Sequence, residues 1–360
     1  MPELSIVLAT LNERGNLLEV VSRIARALDG EAWEVIVVDD DSADGTADLA
    51  RVLAASDPRV RCIRRLGRRG LSSACIEGIL SSSAPFVAVM DADLQHDETL
   101  LPAMLTVLRS GEAPVVVASR YIEGGSTQGW SASRAALSRL ATLMSGRRVL
   151  DRLSDPMSGF FALSRPLFED HARSLSGLGF KLLLDFLSSA PASLQVRELP
   201  MRFGVRVAGR SKMSANVAWE FLLMLLDKRV GRFIPVRFIP FAAVGLAGVA
   251  VHFGVLTALL WGGGLPFTWA HAAATVAAMV FNFSANNVLT YSGMTLRGWR
   301  WLRGLGSFML VCGAGAAANV GVANYLFGRA AGWPWAAAAG IAVGAVWNYA
   351  LSARYTWKAS

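Results

Sequence analysis

The strongest chemical signal in the sequence is a pair of aspartates, Asp91 and Asp93, directly after the apolar run Phe86–Met90. Carboxylates two residues apart, just beyond the end of a strand, can gather around a hard cation. Mg²⁺ and Mn²⁺ prefer such oxygen ligands, and substrate phosphates commonly complete their coordination. A cation held there would neutralise the charge on a departing nucleoside diphosphate. A solvated loop is the ordinary alternative for an isolated Asp-x-Asp, but the position after the fourth strand of an α/β pattern favours the metal.

A second acidic cluster, residues 39–42, follows an earlier apolar run and reads Asp-Asp-Asp-Ser. Its carboxylates could accept hydrogen bonds from the N–H of a nucleobase or from a ribose hydroxyl. The alternative is a helix N-cap, because Asp44-Gly45-Thr46 leads into a helical pattern. Both interpretations can hold, for different residues of the run.

Both acidic clusters need strands that end at the same edge of a sheet. The first half of the chain alternates short apolar runs with helical patterns, among them residues 17–28 and 71–81. This alternation predicts a largely parallel sheet covered on both faces, which binds ligands beyond the carboxyl ends of its strands. The predicted strands are Leu4–Ala9, Trp33–Asp39, Val60–Arg64, Phe86–Asp91 and Val115–Ser119. Asp39, Asp40 and Asp91 fall at the carboxyl ends.

The last third of the chain has a different composition. Residues 236–360 carry seven basic residues and no acidic residue, whereas residues 1–235 carry 28 basic and 27 acidic residues. Because the basic residues lie between long apolar runs, the net charge of +8 points to a membrane surface rather than to nucleic acid. Each run is near the ~20 residues that span a bilayer. The predicted spans are Phe241–Trp261, Phe267–Leu289, Leu305–Phe327 and Trp335–Ser352.

A buried helical bundle in a soluble protein is the weaker alternative, since 125 residues without an acid would give a poor soluble surface. Arg297, Arg300 and Arg303 lie between the second and third spans, whereas the loop 262–266 is uncharged. The positive-inside rule therefore predicts a cell (inner) membrane protein with both termini and the catalytic domain in the cytoplasm. Residues 215–234 form an amphipathic pattern, which fits either a helix on the membrane interface or an ordinary core helix.

Short motifs recur along the first 215 residues. They are Ala9-Thr10-Leu11-Asn12-Glu13, residues 37–46, Asp91-Ala92-Asp93-Leu94-Gln95-His96, Ser119-Arg120-Tyr121, residues 155–160, Gly179-Phe180-Lys181 and Gly209-Arg210-Ser211-Lys212. Their identity and order resemble the family-2 glycosyltransferases of the GT-A fold. More narrowly, the chain resembles the dolichol-phosphate mannosyltransferase group, the polyprenyl-phosphate glycosyltransferases. Each motif is weak alone, and together they are highly specific.

The resemblance implies roles for particular residues. Those that would bind the nucleotide sugar are Ala9, Leu11, Glu13, Val38, Asp40, Asp91, Ala92, Asp93, Arg120, Arg206 and Lys212. Asp91, Asp93 and Gln95 would surround Mg²⁺ or Mn²⁺, with Asp93 as the most direct ligand. Asp91, Asp93 and Arg120 would form the catalytic set, and Arg134 and Ser138 would face the phosphate of the acceptor lipid. Guanidinium and ammonium groups are also the phosphate partners expected on chemical grounds.

The sequence departs from the family pattern at two of these motifs. The family usually has Pro-Thr-Tyr-Asn-Glu near the start, so Leu11 replaces an aromatic residue that could stack on a base. The usual Gly-Glu-Ser-Lys is changed by Arg210, which adds a positive charge beside the expected phosphates.

The C-terminal spans contain further short pieces of sequence. They are Arg237-Phe238 with Val244-Gly245, Asn282-Phe283 with Asn286, and Trp347-Asn348-Tyr349 with Arg354-Tyr355. They resemble the GtrA-like four-helix membrane domain. Asparagines in such spans are costly unless they are paired, so interhelical hydrogen bonding is expected.

The sequence thus predicts an α/β GT-A (Rossmann-like) catalytic domain with a mainly parallel sheet over residues 1–214. An amphipathic interfacial helix and linker follow over 215–236, and an all-α domain with four transmembrane helices over 237–360. The expected reaction transfers mannose from GDP-mannose to a polyprenyl phosphate in the membrane, with metal dependence and inversion, and involves no nucleic acid. A UDP-glucose-dependent glucosyltransferase and a lipid-linked sugar translocase are the alternatives. A processive polysaccharide synthase is disfavoured, because the Gln-x-x-Arg-Trp signature is absent from the sequence.

Overall fold

The computed structural model describes residues 1–126, 142, 147–177, 179, 181–204, 215–231, 234–291, 294–329 and 333–357. The chain divides into two compact units, Met1–Arg232 and Phe233–Ser360. Each unit has its own hydrophobic core, and the two are described separately.

A mostly parallel sheet forms the centre of the first unit. In the described part of the chain it has seven strands in the order β3-β2-β1-β4-β6-β5-β7. The strands are β1 Leu4–Thr10, β2 Trp33–Asp39, β3 Val60–Arg64, β4 Phe86–Asp91, β5 Val115–Ser119, β6 Phe161–Ser164 and β7 Val196–Pro200. The five predicted strands and the mainly parallel sheet are confirmed. The strands β6 and β7 were not predicted. β6 pairs antiparallel with both β4 and β5, and β7 pairs parallel with β5.

Helices cover both faces of this sheet. They are α1 Arg14–Ala27, α2 Thr46–Ser56, α3 Leu71–Leu80, α4 Leu101–Ser110, α5 Arg147–Leu150, α6 Arg165–Ala172, α7 Leu182–Ser189 and α8 Ala215–Val230, with a 3₁₀ turn at Glu98–Leu100. The alternation along β1 shows why two cores form. Leu4, Ile6 and Leu8 pack into one core, whereas Val7 points to the opposite core, beneath α3. Because both faces are buried, β1 reads as a nearly continuous apolar run.

The helix α8 packs against the first unit through one of its faces. Met224 is buried in the core beneath the sheet. The Nζ of Lys228 forms an ion pair with the buried carboxylate of Asp185 and donates to the Oγ of Ser189 at 2.7 Å. These contacts are those of an ordinary core helix on this face, and the placement of α8 at the membrane interface stays a prediction.

The second unit is built from long apolar helices. They are α9 Phe238–Thr257, α10 Phe267–Leu289, α11 Trp299–Gly328 and α12 Trp333–Leu351, with π-helical turns at Ala258–Gly262 and Ser352–Thr356. Among the described residues, three helices are long and apolar enough to cross a membrane: Phe238–Gly262, Phe267–Leu289 and Trp299–Leu326. The fourth predicted span coincides with α12, and its passage through the membrane stays a prediction.

The second unit consists of two equivalent helical hairpins. A shift of 67 residues matches α9 with α11, and a shift of 66 matches α10 with α12. Matched pairs of identical residues include Phe241 and Phe308, Gly248 and Gly315, Asn282 and Asn348, and Thr290 and Thr356. The pairs that are buried in both hairpins are 241 and 308, 244 and 311, 248 and 315, 270 and 336, 274 and 340, 286 and 352, 290 and 356, and 291 and 357. Sequence and burial therefore agree on an internal repeat, which the sequence analysis missed.

Equivalent residues of the two hairpins meet in the core of the second unit. The rings of Tyr291 and Trp357 stack with their centroids 4.1 Å apart and their planes 9° from parallel. Phe241 and Phe308 lie in the same cluster. Trp357 Nε1 also donates to Asn287 Oδ1 at 3.0 Å, which satisfies two polar groups inside this apolar cluster. The stack of matched rings is the arrangement expected where a local two-fold relation joins two copies.

In each hairpin, an asparagine of the second helix packs against a glycine of the first helix. The amide of Asn282 occupies the space that a Cβ at Gly248 would need, and the amide of Asn348 does the same at Gly315. These four residues are two matched pairs of the repeat. Glycine at the crossing lets the helix backbones approach closely, as is usual in membrane helix packing.

We expect Gly248→Ala and Gly315→Ala each to lower the melting temperature of the full-length protein in detergent. The added methyl group must displace a packed amide, and such overpacking costs about 1–3 kcal/mol. Gly245→Ala and Gly313→Ala are the matched controls, because open space surrounds both positions. Equal melting temperatures for all four variants would contradict the close approach at these crossings.

Candidate active site

Three adjacent strands of the sheet end at the same edge. The strand β1 lies between β2 and β4, and all three are parallel. Their register pairs Thr10 with Asp39 and Ala9 with Asp91. The sheet therefore brings together the two acidic clusters, which are 52 residues apart in the sequence, and the Ala9–Glu13 motif.

The backbone is strained after each of these strand ends. Asn12, Asp41 and Leu94 have positive φ angles of 54°, 56° and 63° although they are not glycines. Within the described part of the chain, these are the non-glycine residues with positive φ. Such conformations cost on the order of 1–3 kcal/mol each, and they concentrate at functional sites. Their clustering supports this edge as the site.

The acidic cluster after β2 is held by its own neighbours. Asp39 is buried and accepts hydrogen bonds from Thr10 Oγ1 at 3.0 Å and from Ser42 N at 2.9 Å. Asp44 accepts from Thr46 N at 3.0 Å, where α2 begins. Asp39 and Asp44 therefore shape the loop. The N-cap of α2 is Gly45 and no described side chain caps this helix, so the capping alternative is wrong for this run.

Asp40 anchors a loop that the sequence analysis did not assign to the site. One carboxylate oxygen accepts from Arg65 Nη1 at 2.5 Å and the other from Gly70 N at 2.6 Å. Arg65 is itself buried, and its Nη2 donates to Ser73 Oγ at 2.7 Å. Burial raises the pKa of Asp40, and the hydrogen bond from Gly70 and the charge of Arg65 oppose that rise. Nothing in the sequence distinguishes Arg65 from the other basic residues, because its partner is 25 residues away.

The Asp-x-Asp motif lies in a turn after β4. The side chain of Asp91 is 41% exposed, whereas Asp93 and Gln95 are buried. Asp93 Oδ1 accepts from Gln95 N at 3.2 Å, and Gln95 Nε2 donates to Gly204 O at 3.0 Å. The left-handed Leu94 turns the chain between them.

His96 packs against this turn on the side that faces the protein interior. It is almost fully buried, and its ring stacks on Phe160 with centroids 5.4 Å apart. Its Nδ1 accepts from Asp91 N at 3.0 Å, and its Nε2 lies 3.7 Å from Asp91 Oδ2. Burial lowers the pKa of His96, against the opposing effect of the Asp91 charge.

Arg120 follows β5 and is held by a buried carboxylate. Its backbone N, Nε and Nη2 all donate to Asp155, at 3.1, 2.7 and 2.6 Å. Both side chains are buried, and the guanidinium also lies 5.7 Å from the ring centroid of Phe203. The pairing with Asp155 holds the guanidinium in one orientation. A guanidinium that was free to move would instead turn toward solvent and become hydrated.

The remaining predicted site residues differ in burial, and some of them lie outside the described residues. Ala9 and Leu11 are half-buried at the end of β1, and Glu13 accepts from Asn16 Nδ2 at 2.8 Å. Val38 and Ala92 are buried as whole residues, main chain included, and their contact with the nucleotide sugar stays a prediction. The other predicted ligands, Arg206, Lys212, Arg134 and Ser138, lie outside the described residues.

We expect Asp155→Ala to destabilise the protein by about 3–5 kcal/mol, because it leaves the buried charge of Arg120 without its partner. Thermal unfolding of the full-length protein in detergent measures the change. Glu112→Ala is the matched control: it removes an ion pair with Arg197 in which both side chains are more than half exposed, and such pairs are worth at most about 1 kcal/mol. Equal losses for both variants would contradict a special role for the buried pair.

Two family models match the chain, one in each unit. Residues 5–172 match the family 2 glycosyl transferases. Residues 240–357 match the GtrA/DPMS transmembrane domain. Both resemblances derived from the motifs are therefore confirmed, and the second unit is a membrane domain by family as well as by the length of its helices.

Curated relatives match most of the chain. The dolichol-phosphate mannosyltransferase of Pyrococcus furiosus is 37% identical over 80% of this chain and 81% of its own length. The enzyme of the same name from Mycosarcoma maydis is 33% identical over 68% of this chain and 86% of its own. That of Saccharomyces cerevisiae is 33% identical over 64% and 88%.

A solved structure also aligns with the chain. Glucosyl-3-phosphoglycerate synthase from Mycobacterium tuberculosis, in complex with Mn²⁺, uridine diphosphate and glucosyl-3-phosphoglycerate, has 21% identity and a TM-score of 0.48. The alignment covers 64% of this chain and 80% of that one. The family assignment rests on the curated relatives: this chain is a glycosyltransferase that belongs to the dolichol-phosphate mannosyltransferase family.

Proposed function

We propose that this protein transfers a mannosyl group from GDP-mannose to a polyprenyl phosphate at the cytoplasmic face of the membrane. The observation that carries the proposal is the similarity to the Pyrococcus furiosus dolichol-phosphate mannosyltransferase, which covers 80% of the chain and therefore reaches beyond the catalytic unit. The edge formed by β1, β2 and β4 supports it, because the motifs around Glu13, Asp40 and Asp93 follow these three strands.

The donor set at this edge fits a divalent cation. Asp91 and Asp93 supply carboxylate oxygens, and Gln95 can supply an amide oxygen because its Nε2 is already engaged with Gly204. Among the described residues, no three acidic, histidine or cysteine side chains are placed to hold a metal ion, so the proposed site would need substrate phosphates for its remaining ligands. Bound there, the cation would supply positive charge to the leaving diphosphate.

The acceptor needs little activation by the protein. A phosphate monoester has a second pKa near ~6, so its attacking oxygen is largely an anion at neutral pH. In the proposed step, that oxygen forms a bond to the anomeric carbon as the bond to the β-phosphate oxygen breaks. The electron pair leaves with GDP, and attack opposite the leaving group inverts the anomeric configuration.

The protein must instead hold two anions together. At ~4 Å, two unit charges repel by about 4 kcal/mol at an effective dielectric constant near 20. We assign Arg120 to the donor phosphates, because Asp155 already fixes its orientation. By the family pattern, Arg206 and Lys212 join it there, and Arg134 with Ser138 binds the acceptor phosphate.

The membrane unit places this reaction beside its lipid substrate. We propose that α9 to α12 all cross the inner membrane, with both termini and the Arg297–Arg303 loop in the cytoplasm. The basic residues of that loop and the uncharged residues 262–266 at the opposite end support this orientation. It puts the catalytic unit in the compartment where nucleotide sugars are made.

A donor panel tests the reaction. The purified full-length protein, supplied with polyprenyl phosphate and Mn²⁺, should convert the lipid with GDP-mannose to a product heavier by one hexose. Mass spectrometry of the lipid fraction measures the product. A product with UDP-glucose but none with GDP-mannose would replace mannose by the glucosyl alternative. No lipid product with any nucleotide sugar would exclude the proposed function.

The metal assignment has its own test. Asp93→Ala should abolish transfer while the protein stays folded and membrane-bound, because a lost ligand removes charge stabilisation from the leaving diphosphate. Asp48→Ala, on the exposed surface of α2, is the matched control and should keep wild-type turnover. Wild-type activity that survives a metal chelator, or normal turnover by Asp93→Ala, would contradict the assignment.

A further inference from the structure

The imidazole of His96 contacts Asp91 at two points. Its Nδ1 accepts a hydrogen bond from the backbone N of Asp91 at 3.0 Å, and its Nε2 lies 3.7 Å from the carboxylate oxygen Oδ2. The two nitrogens thus face the backbone and the side chain of one residue. His96 has only a few per cent of its surface exposed, whereas the Asp91 side chain reaches solvent.

The first contact decides where the proton of the ring lies. A nitrogen that accepts from an N–H carries no proton, so the neutral imidazole has its hydrogen on Nε2. That hydrogen is on the side of the ring that faces the Asp91 carboxylate. The backbone hydrogen bond therefore places the ring hydrogen on the nitrogen nearer to the Asp91 carboxylate, as a second partner fixes the tautomer in other histidine–carboxylate pairs. At 3.7 Å, the Nε2–Oδ2 pair is an electrostatic contact and not a hydrogen bond.

The surroundings of the ring hold it in this position. Phe160 stacks on one side, and Phe203 meets the ring edge-on with centroids 5.7 Å apart. Gly159 lies across from both partners. A Cβ at that position would be 3.2 Å from Asp91 Oδ2 and 3.3 Å from His96 Cε1. Because Gly159 has no side chain, the Asp91 carboxylate and the His96 ring can both pack closely against its backbone.

We propose that His96 is a positioning residue that orients the carboxylate of Asp91 toward the cation of the donor complex. The proposal rests on the proposed function, since it assigns a partner to one of its metal-binding groups. A carboxylate at the open edge of a site would otherwise sample several rotamers, and the positive Nε2–H edge of the buried ring, 3.7 Å from Oδ2, favours those that face it. Groups that orient ligating carboxylates typically change metal affinity 10–100-fold when they are removed.

Two substitutions separate the two contacts of His96. In His96→Asn, the amide oxygen can replace Nδ1 and keep the hydrogen bond from Asp91 N, but nothing replaces Nε2. In His96→Gln, the amide nitrogen can replace Nε2, but the buried N–H of Asp91 loses its acceptor. A lost acceptor lowers stability, whereas loss of the Nε2–H beside the carboxylate lowers metal affinity.

The measurements are the Mn²⁺ dissociation constant in the presence of GDP, from the electron paramagnetic resonance signal of free Mn²⁺, and the melting temperature without metal. We expect His96→Asn to weaken Mn²⁺ binding about 10–100-fold with a modest change in melting temperature. We expect His96→Gln to lower the melting temperature more and the Mn²⁺ affinity less. In kinetics, His96→Asn should lower kcat at saturating GDP-mannose and should be partly restored by excess Mn²⁺.

The control is His171→Asn, which changes a histidine on α6 whose Nδ1 lies 3.0 Å from Leu167 O. It should leave Mn²⁺ binding unchanged. Wild-type affinity for Mn²⁺ in His96→Asn, or losses of affinity that follow the melting temperature in both His96 variants, would overturn the positioning role. Failure of the wild-type protein to bind Mn²⁺ with GDP would instead contradict the proposed function, so the two failures are distinguishable.

Discussion

The site depends on the parallel register of three adjacent strands. Because β1, β2 and β4 run in the same direction and end together, they gather acidic side chains from distant parts of the sequence at one edge. This gathering opposes stability, since nearby carboxylates repel one another. The structure offsets the repulsion with specific partners: hydroxyl groups for Asp39, and a buried arginine for Asp40. Beyond β5, Asp155 and Arg120 likewise neutralise each other's charge.

Asp91 differs from these carboxylates. Its side chain is partly open to solvent, and its neighbour is a neutral histidine rather than a cation. Full neutralisation by an arginine would stabilise the protein but would compete with a divalent ion for the same oxygens. The left-handed Leu94 in the same turn is a further local cost that packing must sustain. Without substrate, the protein therefore forgoes stabilisation at Asp91. The cation of a bound donor complex would supply the positive charge that the Asp91 carboxylate lacks.

Much of this could be predicted from the sequence because the signals are local. The strands β1, β2, β4 and β5 are short, mainly apolar runs, and their alternation with helices implies a parallel sheet. The antiparallel β6 was missed because four residues carry too little periodicity, and its place between β4 and β5 depends on long-range pairing. Arg65 was missed for a similar reason: burial and a partner across the loop select it, and neither is visible in its own sequence.

The internal repeat shows a signal that is present in the sequence but easy to overlook. About half of the identical residues in its two copies are glycine or alanine, which are common in any membrane helix. The structure separates meaningful matches from chance, because matched positions are buried together and Tyr291 stacks on its own counterpart, Trp357.

The repeat also bears on the role of the asparagines in the membrane helices. The Oδ1 atoms of Asn282 and Asn348 have no hydrogen-bond partner among the described residues, although interhelical hydrogen bonding was expected. Both amides instead fill the space over a glycine, and the repetition of this contact in two hairpins argues that close helix packing, rather than hydrogen bonding, fixes these residues.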